Sequence, residues 1–259
     1  MPNIIACYKW VPDEQDIKLN PSTMALDFSK AKYKISEYDR NAIEEAVLLN
    51  QKNGGSVTAL TFGNAGAKQS LKDALSRGPG KAIFVNDELA AKSDAYVTAN
   101  VLAAAVRKAG SYDVILCGEG AGDTYAQQVG PRIAAILGIP AVTYVSEIKI
   151  EGNKVVATRK VGNCTEVATV EFPVLISVLP EINKPRIPSL KEVLGATKKP
   201  VFEYKLSELE LSEDELTAKN NVKAIKGYVM SRKNVIYKAG TAAERVASLV
   251  GNLAQEGVL

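Results

Sequence analysis

Short apolar runs alternate with amphipathic stretches through the first half of the chain. Residues 4–8 (Ile4, Ile5, Ala6, Cys7, Tyr8) read as a buried strand. Residues 38–50 then place Ala42, Ile43, Ala46, Val47 and Leu49 at the spacing of one helix face. A second strand is expected at 57–62, closed by Gly63, and a second helix at 67–75, stopping near Gly78 and Pro79. Residues 82–85 form a third apolar run. Residues 93–109, rich in Ala and Val, read as a long helix capped by Ser93 and ended by Gly110. A fourth run, 114–117, meets Gly118, and a further helix ends at Leu137 and Gly138 before an extended run from 140 to 145. Strands alternating with helices at this spacing predict an α/β fold with a doubly wound, mostly parallel sheet. The strands are apolar throughout because both faces are covered.

After residue 146 the texture changes. Residues 147–150, 155–159 and 167–172 alternate apolar and polar side chains, with Glu151, Gly152 and Asn153 as a turn, which predicts an antiparallel hairpin region with one wet face. Residues 173–178 return to a continuous apolar run. Pro180, Pro185, Pro188 and Pro200 bar a long helix through the next segment. From Val201 the chain is mostly polar until an amphipathic helix at 241–253. A polar tail of this composition cannot easily build its own core. It reads either as a flexible extension or, preferably, as an arm that orders on a partner. The expected division is therefore an α/β domain over 1–199 and a C-terminal arm over 200–259.

Composition removes several chemistries. The 259 residues contain no histidine, which excludes Ser-His-Asp and Cys-His catalysis, His-ligated zinc and imidazole relays. A net charge of +3 is too small and too evenly spread for a nucleic-acid footprint. Cys7, Cys117 and Cys164 are odd in number and far apart in sequence, which fits a reduced, cytoplasmic chain rather than a disulfide framework. The opening residues show no basic leader, and no apolar stretch is long enough to insert directly in a membrane.

The most informative segment follows the strand ending at Cys117. Gly118, Glu119, Gly120, Ala121, Gly122, Asp123, Thr124, Tyr125, Ala126, Gln127, Gln128, Val129 and Gly130 lead through Pro131 into a helix. A glycine-rich loop at the carboxyl end of a parallel strand, followed by a helix N-terminus, suits a phosphate. The same pattern also serves as a plain strand-to-helix turn. It carries neither a Walker Lys-Ser/Thr pair nor the dinucleotide glycine fingerprint, so nucleotide hydrolysis is not expected. Cys7, Phe62 and the group Ser36, Glu37, Tyr38 and Asp39 belong to the same strand-end edge. Each alone reads as core or cap; their convergence suggests a nucleotide site. Cys117 reads as core, and Asp13, Glu14 and Asp16 as a solvated loop.

Four segments, taken in order, resemble the beta-subunit family of electron-transfer flavoproteins over residues 4–199. They are Lys9, Trp10, Val11, Pro12 and Asp13; Ser36 to Asp39 followed by Ala42, Ile43, Glu44, Glu45 and Ala46; the loop from Gly118 to Gly130; and Asn183, Lys184, Pro185, Arg186, Ile187, Pro188, Ser189 and Leu190, with Lys198 and Lys199 after them. The resemblance implies an adenine-nucleotide alpha-hydrolase-like sheet. It implies a heterodimer whose alpha subunit carries an FAD and packs against the arm at 200–259. It also implies nucleotide contacts from Cys7, Ser36, Glu37, Tyr38, Asp39, Phe62 and 119–130, with a recognition loop near 183–199 in which Leu190 anchors a partner. Such partners are an acyl-CoA dehydrogenase or quinone oxidoreductase, a ferredoxin-like acceptor, and NADH as donor.

Simple members of that family hold AMP in this subunit, whereas electron-bifurcating ones hold a second FAD. Many members have Thr where this chain has Val129, so a hydroxyl is missing beside the phosphate. The run from Ala126 to Pro131 and the segment Val11 to Asp16 resemble the Fix-type branch, which favours FAD. A non-bifurcating subunit with structural AMP, and a non-redox adenine-nucleotide sensor, are the alternatives.

Overall fold

The computed structural model describes residues 1–229 and 232–259. Its chain runs through β1 (Asn3–Cys7), β2 (Trp10–Pro12), β3 (Tyr33–Ile35), α1 (Glu37–Asn53) and β4 (Ser56–Gly63). Next come α2 (Ser70–Ser76), β5 (Lys81–Asn86), α3 (Ala95–Ala109), β6 (Val114–Gly118) and α4 (Val129–Leu137). The antiparallel region is β7 (Ala141–Glu151), β8 (Lys154–Val161) and β9 (Cys164–Glu171). It is followed by β10 (Val174–Val178), α5 (Leu190–Ala196), β11 (Val201–Lys205) and α6 (Ala242–Gln255).

Among the described residues nine strands join one sheet in the order β9-β8-β7-β10-β6-β1-β4-β5-β11. From β7 to β11 along that order all neighbours pair in parallel; β8 pairs antiparallel with both β7 and β9. The sheet is covered on both faces, as continuous apolar strands require. Ile4 and Ala6 of β1, with Tyr8 just after it, pack with Ile43 and Val47 of α1 and with Leu71 and Ala74 of α2. Ile5 and Cys7 point the other way and pack with Val101 and Ala105 of α3 and Ile133 of α4. The doubly wound α/β architecture and the antiparallel hairpin region are as expected.

Two local readings change. The long helix α3 is capped by Asp94, whose carboxylate accepts from the amides of Tyr96 and Val97 at 3.0 Å. Ser93 instead donates its hydroxyl to the Leu89 carbonyl at 2.8 Å. The second helix is split, with a 3-10 turn at Ala65–Gln69 leading into α2.

The chain forms two compact units, one comprising 1–18 and 27–224, the other 19–26 and 225–259. Residues 200–224 thus belong to the same compact unit as the sheet. β11 adds to the sheet edge by pairing with β5, Val201 opposite Ala82. Beyond it, Leu209 is buried, and Leu206, Leu211 and Leu216 pack against the core layer of α3. Asn100 of α3 donates to the Glu215 carbonyl at 3.1 Å, and Asp94 accepts from the amides of Lys219 and Asn220. A few well-spaced leucines thus fasten a segment whose average composition is polar. In the second unit, the Gly227 amide donates to the Met24 carbonyl at 2.8 Å. There α6 opens with a Thr241–Glu244 capping box and has no buried residue.

Candidate functional site

Chain order and sheet order first part company after β5. From β1 the chain builds outward through α1 to β4 and β5, then crosses by α3 to β6 on the other side of β1. The connections leaving β1 and β6 therefore run to opposite faces of the sheet, α1 to one and α4 to the other, and such a topological switch point is the usual ligand crevice of open α/β sheets. The candidate residues lie around it.

A short antiparallel ribbon, β2 with β3, returns the chain to the end of β1. The Ser36 amide donates to the Lys9 carbonyl there at 3.0 Å, which sets the first turn of α1 against the crevice. Ser36 occupies the N-cap position of α1 but makes no capping bond with its side chain. Its fully buried hydroxyl oxygen instead accepts from the Gly122 amide at 3.2 Å. Asp39 spans the crevice floor, accepting from the Lys9 amide at 2.8 Å and from the Gly118 amide at 3.2 Å. Two strand ends are thus stitched by one carboxylate.

Burial pushes the Asp39 carboxyl up to about 7, with the Asp123 charge adding to it. The two amides and the Lys9 ammonium pull the other way. A glycine is obligatory at 118. A Cβ there would sit 2.7 Å from the Tyr38 backbone carbon and 2.8 Å from the Asp39 Oδ1. At Gly122 the same atom would meet nothing within 4 Å, so that backbone is open to a ligand.

The loop after β6 is held in an uncommon form. Tyr125 and Gln127 have φ of 46° and 57°, a left-handed backbone that L side chains adopt rarely and that clusters at functional loops. The Tyr125 ring covers Gly120 and lies 5.2 Å from the Tyr38 ring, tilted by 46°. The Tyr125 amide turns back to the Ala121 carbonyl, and Asp123 accepts from the Thr124 amide. α4 then begins with Val129, Gly130 and Pro131. Amides in a first turn have no helical acceptor, and Pro131 has no N–H to satisfy. Gly130 is packed close to Cys117, and Gln128 is engaged with the Arg132 guanidinium at 3.0 and 3.2 Å.

Not every expected residue reaches the crevice with its side chain. Cys7 is buried in the α3/α4 layer beside Cys117, whose thiol is pushed up first by Cys7 and then by burial. Phe62 packs into the same layer at the end of β4. Glu37 turns away to Lys34, which also holds Asp13 and Glu14 at 3.2 and 2.8 Å. Leu190 begins α5 and is 75% exposed, apart from the crevice.

One residue escaped sequence reasoning as a site group. Lys9 stands two residues beyond the end of β1, and its ammonium lies 2.6 Å from an Asp123 carboxylate oxygen. The signal available was a lone cation at the carboxyl end of the first strand, where an anionic ligand needs one. Among the described residues no helix is long and apolar enough to cross a membrane.

The crevice therefore combines open glycine backbone, a helix N-terminus, a buried serine hydroxyl and a lysine, all suited to an anionic cofactor. A family model described as the electron transfer flavoprotein domain matches residues 23–209, which includes α1, the loop after β6 and all of α5. The chain belongs to the electron transfer flavoprotein domain family.

Proposed function

We propose that this chain is the beta subunit of a heterodimeric electron-transfer flavoprotein of the Fix type, holding FAD at the β1/β6 crevice. In that role it passes electrons between NADH or a dehydrogenase and downstream acceptors by flavin-based bifurcation. Family membership supports electron transfer as the general activity and a partner subunit of the same family as the usual arrangement. The observation that carries the finer reading is the donor set of the crevice: the Ser36 hydroxyl, the Gly122 backbone, the first turn of α4 and the Lys9 ammonium. These fit the anionic pyrophosphate of a dinucleotide.

Each group has a task when the cofactor is bound. Ser36 already accepts from Gly122, so its own proton is available to a phosphate oxygen. This replaces the hydroxyl that Val129 does not supply. Lys9 exchanges its Asp123 partner for phosphate charge. Asp39 holds the ends of β1 and β6 at a fixed separation, and Tyr38 with Tyr125 forms an aromatic wall beside the loop. The isoalloxazine supplies the redox chemistry, and the protein binds, orients and tunes it. Cys7 and Phe62 support the floor from beneath. Leu190 serves as the docking anchor for an acyl-CoA dehydrogenase or quinone oxidoreductase, and residues 225–259 pack on the alpha subunit. The reading places the complex in the cytoplasm.

Cofactor content tests it. The chain is co-expressed with its alpha subunit, the complex denatured, and FAD and AMP quantified per heterodimer. Two FAD and no AMP are expected. One FAD with one AMP would make this chain a structural subunit with AMP in the crevice, and the bifurcating reading would fall.

A further inference from the structure

Helix α1 touches two places that the proposed function treats separately. Its first turn forms one wall of the crevice through Ser36 and Asp39. Five residues on, about 7.5 Å along the axis, Glu44 holds the loop that precedes α5. The Arg186 guanidinium meets Glu44 in a two-pronged pair, Nε to Oε2 at 2.7 Å and Nη2 to Oε1 at 2.9 Å. The Arg186 amide adds a third bond to Oε2 at 3.1 Å. Glu44 is almost wholly buried, its side chain 7% exposed.

Further contacts fix the same loop. Asn41 donates to the carbonyls of Pro180 and Asn183, both at 2.9 Å, and Asn183 donates back to the Asn41 carbonyl and to Glu45, both at 3.0 Å. Just past the end of α2, Arg77 donates to the Arg186 carbonyl at 3.1 Å. Pro185 and Pro188 restrict the backbone on either side. On this clamped base stand two bare apolar side chains, Ile187 at 94% and Leu190 at 75% exposure. A two-pronged carboxylate pair has a narrow geometry, and breaking it would strand a buried charge. The loop must therefore follow any shift of α1 as one body with it.

We infer that Glu44 and Arg186 are positioning residues that couple occupation of the crevice to the placement of the apolar loop. A nucleotide binding beside Ser36 and Asp39 settles the first turn of α1, and the Glu44–Arg186 pair carries that ordering to residues 184–190. The inference rests on the reading that the crevice binds a nucleotide. By linkage, a partner held on the loop tightens nucleotide binding by the same factor by which the nucleotide tightens docking.

Hydrogen–deuterium exchange on the full chain in its heterodimer tests this, with FAD and AMP as the probes. In the wild type, the bound probe slows exchange at amides 118–122 and, by at least fivefold, at 184–190. Arg186→Lys keeps the charge but loses the fork, and Glu44→Gln keeps the shape but loses the charge. Each retains the slowing at 118–122 and loses it at 184–190. Asn183→Ala removes neighbouring bonds without stranding Glu44, and decides the matter if both other variants unfold: it reduces the slowing at 184–190 at least twofold. Slowing confined to 118–122 in the wild type, or an unchanged loop response in the variants, overturns the coupling and leaves the nucleotide site standing. No slowing at 118–122 with either probe overturns the nucleotide reading itself, and the coupling with it.

Discussion

Replacing Asp39 by Asn separates what its charge costs from what its two oxygens hold. The variant retains one acceptor oxygen and turns an NH2 toward the other amide, so either Lys9 or Gly118 loses its bond. Against the ionised carboxylate, one lost hydrogen bond plus one unsatisfied buried donor costs roughly 2–3 kcal/mol. The charge acts in the opposite sense and depends on pH. Burial raises the carboxyl from an ordinary 3.8 to about 7. Between those values the folded chain binds a proton that the unfolded chain has released, so stability falls as pH rises. At about 1.4 kcal/mol per pH unit, the wild type loses about 4 kcal/mol from pH 4 to pH 7 through this group and is flat above. Asn has no such dependence. Near pH 4 the wild-type carboxyl carries a proton on one oxygen and meets one amide with a hydroxyl, much as the Asn nitrogen does, so the two chains should lie within about 1 kcal/mol there, and the wild type should be less stable by roughly 3–4 kcal/mol at pH 8. Urea unfolding of the full chain and the variant, followed by far-UV circular dichroism from pH 4 to pH 8, measures the difference and cancels the other titrating groups. A gap that stays constant over that range would refute the assignment of a buried, proton-binding Asp39.

The glycines of the loop should respond unequally. Gly118→Ala must displace the backbone of α1 at Tyr38 and is expected to cost about 1–3 kcal/mol, whereas Gly122→Ala should stay within about 0.5 kcal/mol; thermal melts compare them. Lys9→Gln should weaken binding of FAD about tenfold at low salt and by less at high salt, because the pair is partly exposed and screened; fluorescence titration at two ionic strengths reads this, and a salt-independent loss would argue for a steric cause. Limited proteolysis of the chain without its partner should cut after about residue 224 and spare β11 and the segment packed on α3; early cleavage at 200–210 would contradict the division.

Periodicity made the central fold readable, because a strand buried on both faces and a helix buried on one write different patterns. Glycine punctuation located the loop after β6 in the same way. The placement of residues 201–224 was hidden, since Leu209, Leu211 and Leu216 are too sparse to raise the local average but are spaced to meet α3. Asp39 was readable as a helix-start residue, yet its bonds to Lys9 and Gly118 join positions 30 and 79 apart. No local pattern encodes such a partner. Lys9 carried only the weak signal of a charge at a strand end. The Glu44–Arg186 pair lies 142 positions apart, too far for any local pattern to join the two residues.

The strand order also governs when a binding site can exist as the chain is made. β1 is the first strand, but the partner that completes its crevice is β6, more than a hundred residues later, and β6 in turn is backed by β10. Contacts so distant in sequence close slowly, because the intervening loop entropy must be lost first. Until residue 118 has left the ribosome there is half a crevice, and until residue 178 has followed it the second half has an open edge. A ligand of the crevice can therefore stabilise the sheet only once β6 has been made.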